Sequence, residues 1–178
     1  VQREVFEVKW DIEAAEKGGY QHFMIKEIHE EPKALKDTMA SRIVDGRVNL
    51  NDLNITKEQL EKAGKIIIIG CGTAYHAGVV GKYVIEKLAR MPVDVEIASE
   101  FRYKDPLISK DNIVIIISQS GETADTIAAM RMCKKVGAKV IAITNVVGST
   151  VSREADHVVY TWAGPEIAVA STKAYATQ

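Results

Sequence analysis

Five apolar runs of strand length recur from residue 66 onward: Ile66–Ile69, Val93–Ala98, Ile113–Ile117, Val140–Thr144 and His157–Thr161. Between them lie stretches of helical periodicity at Ala74–Arg90, Thr123–Val136 and, more briefly, Thr150–Ala155. A strand that is apolar along its whole length must be covered on both faces, which is the mark of a parallel sheet wrapped by helices. Right-handed crossovers between such strands predict an α/β protein, a three-layer, doubly wound, flavodoxin-like parallel sheet.

Residues 1–60 read differently, as a helical N-terminal segment packing on a domain that spans 61–178. Gln21–Glu31 predicts a helix ended by Pro32, with Phe23, Ile25 and Ile28 as its buried stripe. Pro32 then suits the first turn of a second helix, with Leu35, Met39 and Ile43 spaced four apart and Gly46 just past the end. Thr56–Gln59 fits a capping box. Ala168–Gln178 predicts the start of a last helix with no terminator, so the natural chain is expected to continue. His22 and His29, two helical turns apart with no ligand cluster around them, read as solvated or packing residues.

Composition narrows the classes. The chain has 178 residues, enough for one sizeable core, and 47% of them are apolar. Its 23 Lys and Arg nearly balance 24 Asp and Glu. That leaves no basic excess for nucleic acid or an anionic membrane. No apolar run approaches bilayer length. The opening "VQREVFEVKWDIEAAEKGG" is too charged for a signal peptide, and without an initiator Met it suggests a processed or excised piece. Cys71 and Cys133 stand far apart and outside any zinc spacing, as expected for reduced thiols in the cytoplasm.

In an open parallel sheet, ligands collect at the carboxyl ends of the strands. Three loops stand at such ends. In "IIISQSGET" an apolar run gives way within one residue to hydroxyls, an amide and a glycine. A helix beginning near Gly121 would leave its first N–H groups unpaired and its leading end mildly positive. Gly121 would admit a ligand close to the backbone. Ser118, Ser120 and Thr123 add hydroxyl donors and Gln119 an amide, together a cradle for a phosphate. Local capping would account for Ser120 and Glu122 but not for Ser118, Gln119 and Thr123. Glu122 could otherwise serve as a base in an isomerisation.

The loop Gly70-Cys71-Gly72-Thr73-Ala74 opens like a dinucleotide fingerprint, but Tyr75 replaces the third glycine. Gly72 and Thr73 could instead contact sugar hydroxyls, whereas Cys71 lacks an adjoining base and is a poor nucleophile candidate. The third loop, Val169-Ala170-Ser171-Thr172-Lys173, holds the only cation of the three. Lys173 reads either as a solvated first-turn lysine or as a ligand contact.

The set "GCGTAYHAG", "EIASEFRY", "SQSGETADT" and "EIAVASTKAYATQ", in that order, resembles the sugar isomerase (SIS) family. Within it the match is to the isomerase part of the glutamine–fructose-6-phosphate aminotransferases, whose opening segment is similar to "HFMIKEIHEEP". The resemblance implies that Ser118, Gln119, Ser120 and Thr123 bind the phosphate of a hexose 6-phosphate. It implies further that Cys71, Gly72 and Thr73 lie along the sugar, and that Val169, Ala170 and Ser171 close the pocket. Many members carry Ser where this chain has Ala74, so a side-chain contact there is lost. The resemblance also implies a homodimer that needs no metal or organic cofactor. A glutaminase part would precede this piece, and a second SIS domain would follow it with the ring-opening histidine, isomerising glutamate and Schiff-base lysine. The piece is then expected to bind a sugar phosphate without turnover. A non-catalytic sugar-phosphate sensor and a stand-alone isomerase are the rival readings.

Overall fold

The computed structural model describes residues 16–40, 42–50, 53 and 55–178. The charged opening stretch lies outside the described residues as far as residue 15. Five parallel strands form the sheet: β3 (Ile66–Gly70), β4 (Val93–Ile97), β5 (Ile113–Ser118), β6 (Lys139–Thr144) and β7 (His157–Tyr160). Their order is β4-β3-β5-β6-β7, so the winding direction reverses between β3 and β5. That is the flavodoxin-like order, with its switch point at those two strands.

Strand alternation sorts the side chains into two cores. Ile66, Ile68, Ile113, Ile117 and Ile141 face α3 (Thr73–Ala89). Ile67, Ile69, Val114, Ile116, Val140 and Ala142 face α4 (Ala98–Phe101), α5 (Ala124–Val136) and α6 (Thr150–Glu154). Each of these buried Ile and Val side chains contributes about 1.5–3 kcal/mol of transfer free energy. The sheet is therefore held from both sides, and α3 and α5 leave adjacent strands toward opposite faces. Gly78 lets α3 lie close on the sheet, because a Cβ there would stand 2.8 Å from Ile68 Cγ2.

The N-terminal part departs from expectation. Pro32 sits inside one continuous helix, α1 (Phe23–Ala40), rather than between two. Its ring leaves only the Pro32–Ile28 bond unmade, and α1 is held elsewhere by packing on α7 (Lys173–Thr177) through Ala34 and Ala174. Thr38 and Arg42 also donate to the carbonyls of Thr161 and Tyr160. The anticipated stripe is not buried: Ile25, Ile28, Leu35 and Met39 are exposed, and Lys26, Glu27 and Ala34 are buried instead. Ile43 and Gly46 belong to no helix. They form part of a hairpin, β1 (Ile43–Val44) and β2 (Arg47–Val48), whose Asp45-Gly46 turn has both residues at positive φ. The capping box at Thr56 is present and starts α2 (Lys57–Lys62).

Asp156, just before β7, ties the far end of the sheet together. Its carboxylate accepts from Val140 N–H and from the Lys134 ammonium, both at 2.8 Å. Burial alone would push this carboxyl up. The bonds from Lys134 and Val140, with the charges of Lys134 and Lys139, outweigh burial and hold it below the usual aspartate value. A depressed folded-state value stabilises the protein above the unfolded pKa and loses that stabilisation as pH falls through the folded one. Asp156→Asn should therefore lower unfolding free energy by about 1 kcal/mol at neutral pH. In urea titrations the gap should close below about pH 4; a gap independent of pH would show that the negative charge contributes nothing.

Candidate functional site

At the end of β3 the chain turns so tightly onto α3 that a Cβ on Gly70 would stand 3.0 Å from Ala74 C and Tyr75 N. Gly72 then adopts φ 57° and ψ −131°, a combination open only to glycine, and it caps α3 with no side chain in the way. This brings Thr73 to the crevice between β3 and β5, above the buried Ala74.

Across the crevice, β5 ends at Ser118, whose Oγ accepts from Gly121 N–H at 3.1 Å. Ser120 Oγ accepts from Glu122 N–H at 3.2 Å. Each serine thus spends a lone pair on its own loop and keeps its hydroxyl proton to donate. Helix α5 starts at Ala124, within one residue of the helical pattern Thr123–Val136 but later than a start near Gly121. Its cap is Thr123, not Ser120, and the Thr123 side chain caps nothing. The first N–H of this helix to find a carbonyl is that of Ile127, on Thr123 at 3.0 Å. The N–H groups of Ala124, Asp125 and Thr126 precede that bond, so the leading end carries unmet donors.

The third wall is the segment 166–171. No helix begins at Ala168; α7 starts at Lys173, because the preceding N–H groups of Ile167, Ala168 and Thr172 are engaged by carboxylates. The three walls enclose a cavity of about 230 Å³. Cys71, Thr73, Ser118, Gln119, Ser120, Thr123, Val169 and Ser171 line it. Gly72 stands exposed at its rim, and Ala170 is exposed outside it. Thr126, Glu166, Ala168 and Gln178 also line it and were not anticipated. The helical period offered a signal for Thr126, one turn beyond Thr123.

Among the described residues no Lys or Arg lines this cavity. Lys173 is neither solvated nor turned to the site: it is buried, and its Nζ lies 2.6 Å from Glu30 Oε2. Burial pushes the Glu30 carboxyl up, yet the bond and charge of Lys173, with Lys26, hold it below its ordinary value. Glu122 caps the neighbouring helix α6, accepting from Thr150 N–H at 2.6 Å. Cys71 is half-buried and receives a weak bond from Thr126 Oγ1 at 3.8 Å. Cys133 is buried on the α5 side, where desolvation pushes its thiol up to about 12. His29 is exposed and stacks on Tyr20 at 5.4 Å. Among the described residues no three His, Cys, Asp or Glu gather as a metal site, and no helix is long and apolar enough to cross a membrane.

Gly121 also has a packing reason to be glycine. Its φ is +65°, and a Cβ there would stand 2.1 Å from Ser149 Oγ, in the cap of α6. Gly121→Ala should cost about 2 kcal/mol or more through strain and overpacking. Thermal melts check this, and an unchanged melting temperature would mean that Ser149 yields easily.

The model of the SIS domain family matches residues 59–178. Proteins named glutamine–fructose-6-phosphate aminotransferase (isomerizing) are similar over the whole chain. The one from Clostridium tetani is 68% identical, covering 100% of this chain and 29% of its own length. That from Caldanaerobacter subterraneus subsp. tengcongensis is 69% identical over 99% of this chain and 29% of its own. The chain thus spans under a third of these relatives. The solved C-terminal domain of glucosamine-fructose-6-phosphate aminotransferase from Francisella tularensis superposes with a TM-score of 0.85 at 46% identity, over 91% of this chain and 46% of that one. Glucosamine-6-phosphate deaminase from Thermotoga maritima shares the fold, with a TM-score of 0.69 at 22% identity over 86% of this chain and 44% of that one. The family match takes in the whole sheet and all three walls of the cavity, and the chain belongs to the SIS domain family.

Proposed function

We propose that this chain is the sugar-phosphate-binding domain of an enzyme that moves the amide nitrogen of glutamine onto fructose 6-phosphate and isomerises the product to glucosamine 6-phosphate. The observation that carries this reading is the cavity at the β3–β5 switch point, walled by uncharged donors and fed by the leading end of α5. A phosphate ester presents three acceptor oxygens, and the Ser118, Ser120 and Thr123 hydroxyls, the Gln119 amide and the open N–H groups of α5 are donors of the right kind. The whole-chain similarity to enzymes bearing that name supports this substrate over other phosphates.

With the ester held there, the sugar runs toward Thr73, Cys71 and Ser171. Ser171 Oγ donates to Glu166 at 2.9 Å, so it offers lone pairs to a sugar hydroxyl. Donors without formal charge hold the ester less tightly than a cationic cluster would, which favours release of product. The cavity offers no free acid or base: Glu166 accepts from Ser171, Thr172 and Ala174, and Glu122 serves α6. The proton and nitrogen transfers then fall to other parts of the longer protein, a glutaminase part and a second SIS domain, and this chain binds without turnover.

We further read the whole protein as a cytoplasmic homodimer. Its two free thiols support the first point. An outward row on α3, Val80, Tyr83, Val84 and Leu88, supports burial against further protein.

Calorimetry tests the site. The chain should bind glucosamine 6-phosphate, and Thr123→Val, which removes a hydroxyl that caps nothing, should weaken binding about tenfold. Equal affinity for both proteins would rule out the cradle. The chain alone should not isomerise fructose 6-phosphate; turnover abolished by Glu122→Gln would favour a stand-alone isomerase.

A further inference from the structure

The wall segment 166–172 has no regular secondary structure, yet the N–H groups of Ile167, Ala168 and Thr172 and the hydroxyls of Ser171 and Thr172 are all engaged by two carboxylates. Glu27, on α1, is one of the few fully buried charged residues, at 2% exposure. Its Oε1 accepts from Ile167 N–H at 2.7 Å and Ala168 N–H at 2.9 Å, and its Oε2 accepts from Thr172 Oγ1 at 2.7 Å. Glu166 holds the other end, accepting from Thr172 N–H at 3.0 Å, Ala174 N–H at 2.8 Å and Ser171 Oγ at 2.9 Å. Thr172 Oγ1 also stands 3.1 Å from Glu166. A hydroxyl has one proton, and the shorter contact gives it to Glu27. A buried carboxylate that meets three donors is costly to place and costly to remove. All three donors belong to the pocket wall, so these bonds tie α1 directly to it.

We propose that Glu27 is a positioning residue of the ligand site: from a helix that precedes the residues matched to the family, it sets the sugar-facing wall Ala168–Ser171 without touching the ligand. This rests on the sugar-phosphate reading above. It follows that α1 is part of the site's architecture and that its effect is confined to the sugar end. The phosphate end, Ser118–Thr123, is built by β5 and α5 and makes no hydrogen bond to Glu27 or Glu166 among those of the described residues.

The test is a pair of nuclear magnetic resonance titrations of the 178-residue chain, one with glucosamine 6-phosphate and one with inorganic phosphate. Glu27→Gln keeps the size of the side chain but removes the charge that holds the two N–H groups, and its amide nitrogen forces the Thr172 hydroxyl to turn its proton to Glu166. Affinity for glucosamine 6-phosphate should fall about tenfold while that for inorganic phosphate stays unchanged. Thr38→Ala, which removes an α1 contact to Thr161 away from the wall, should lower the melting temperature and leave both affinities alone. Should Glu27→Gln fail to fold, Thr172→Val removes one of the same bonds and should show the same split. Equal weakening of both ligands, or none, overturns the positioning role. If the unaltered chain binds neither ligand, the sugar-phosphate reading itself fails, so the two failures are told apart.

Discussion

The geometry of this protein follows from one constraint: β3 and β5 lie side by side, but the helices that follow them must leave to opposite faces of the sheet. Two chains diverging from neighbouring strands cannot close over the gap between them. The crevice is therefore a by-product of covering an all-apolar parallel sheet on both sides. Everything at the site elaborates that gap. Gly70 and Gly72 steer one rim into α3. On the other, the serines bond their own loop and leave Thr123 and the first N–H groups of α5 unspent.

Much of this was legible in the sequence because it is dictated locally. A strand buried on both faces has to be apolar throughout, so Ile66–Ile69 and Ile113–Ile117 declare themselves. The sudden change at Ser118 marks where burial ends. The helical N-terminal segment was misread for the complementary reason. Besides a small alanine cluster shared with α7, what α1 covers is a loop with backbone N–H groups to satisfy. It therefore buries Glu27 and Lys26 along with the small Ala34, while its large aliphatic side chains stay outside. A periodicity rule that equates apolar with buried inverts such a helix. Pro32 misled similarly, since tertiary contacts outweigh one missing helical bond.

Side chains near the crevice divided according to who else wanted them. Lys173 and Glu122 have charges that suit a ligand site, yet each is claimed by a distant partner, Glu30 and the α6 backbone. Gly121 is held to glycine by the Ser149 contact as well. None of these partners is near in sequence, which is why spacing alone could not assign them. Thr123, by contrast, is marked by having no competing partner for its hydroxyl. In a loop so densely hydrogen-bonded, an unused donor is the more informative observation.

The same clamps fix where the binding site can breathe. Val169 and Ala170 lie between the anchored ends of their segment, with side chains in solvent and no hydrogen bond to the rest of the fold among the described residues. Fluctuations of those two residues, on the nanosecond-to-microsecond scale of short loops, can widen the mouth without breaking any of the six carboxylate bonds beside it. Entry and exit of a small molecule would then be decoupled from global unfolding, and stiffening α1 would leave exchange rates nearly untouched.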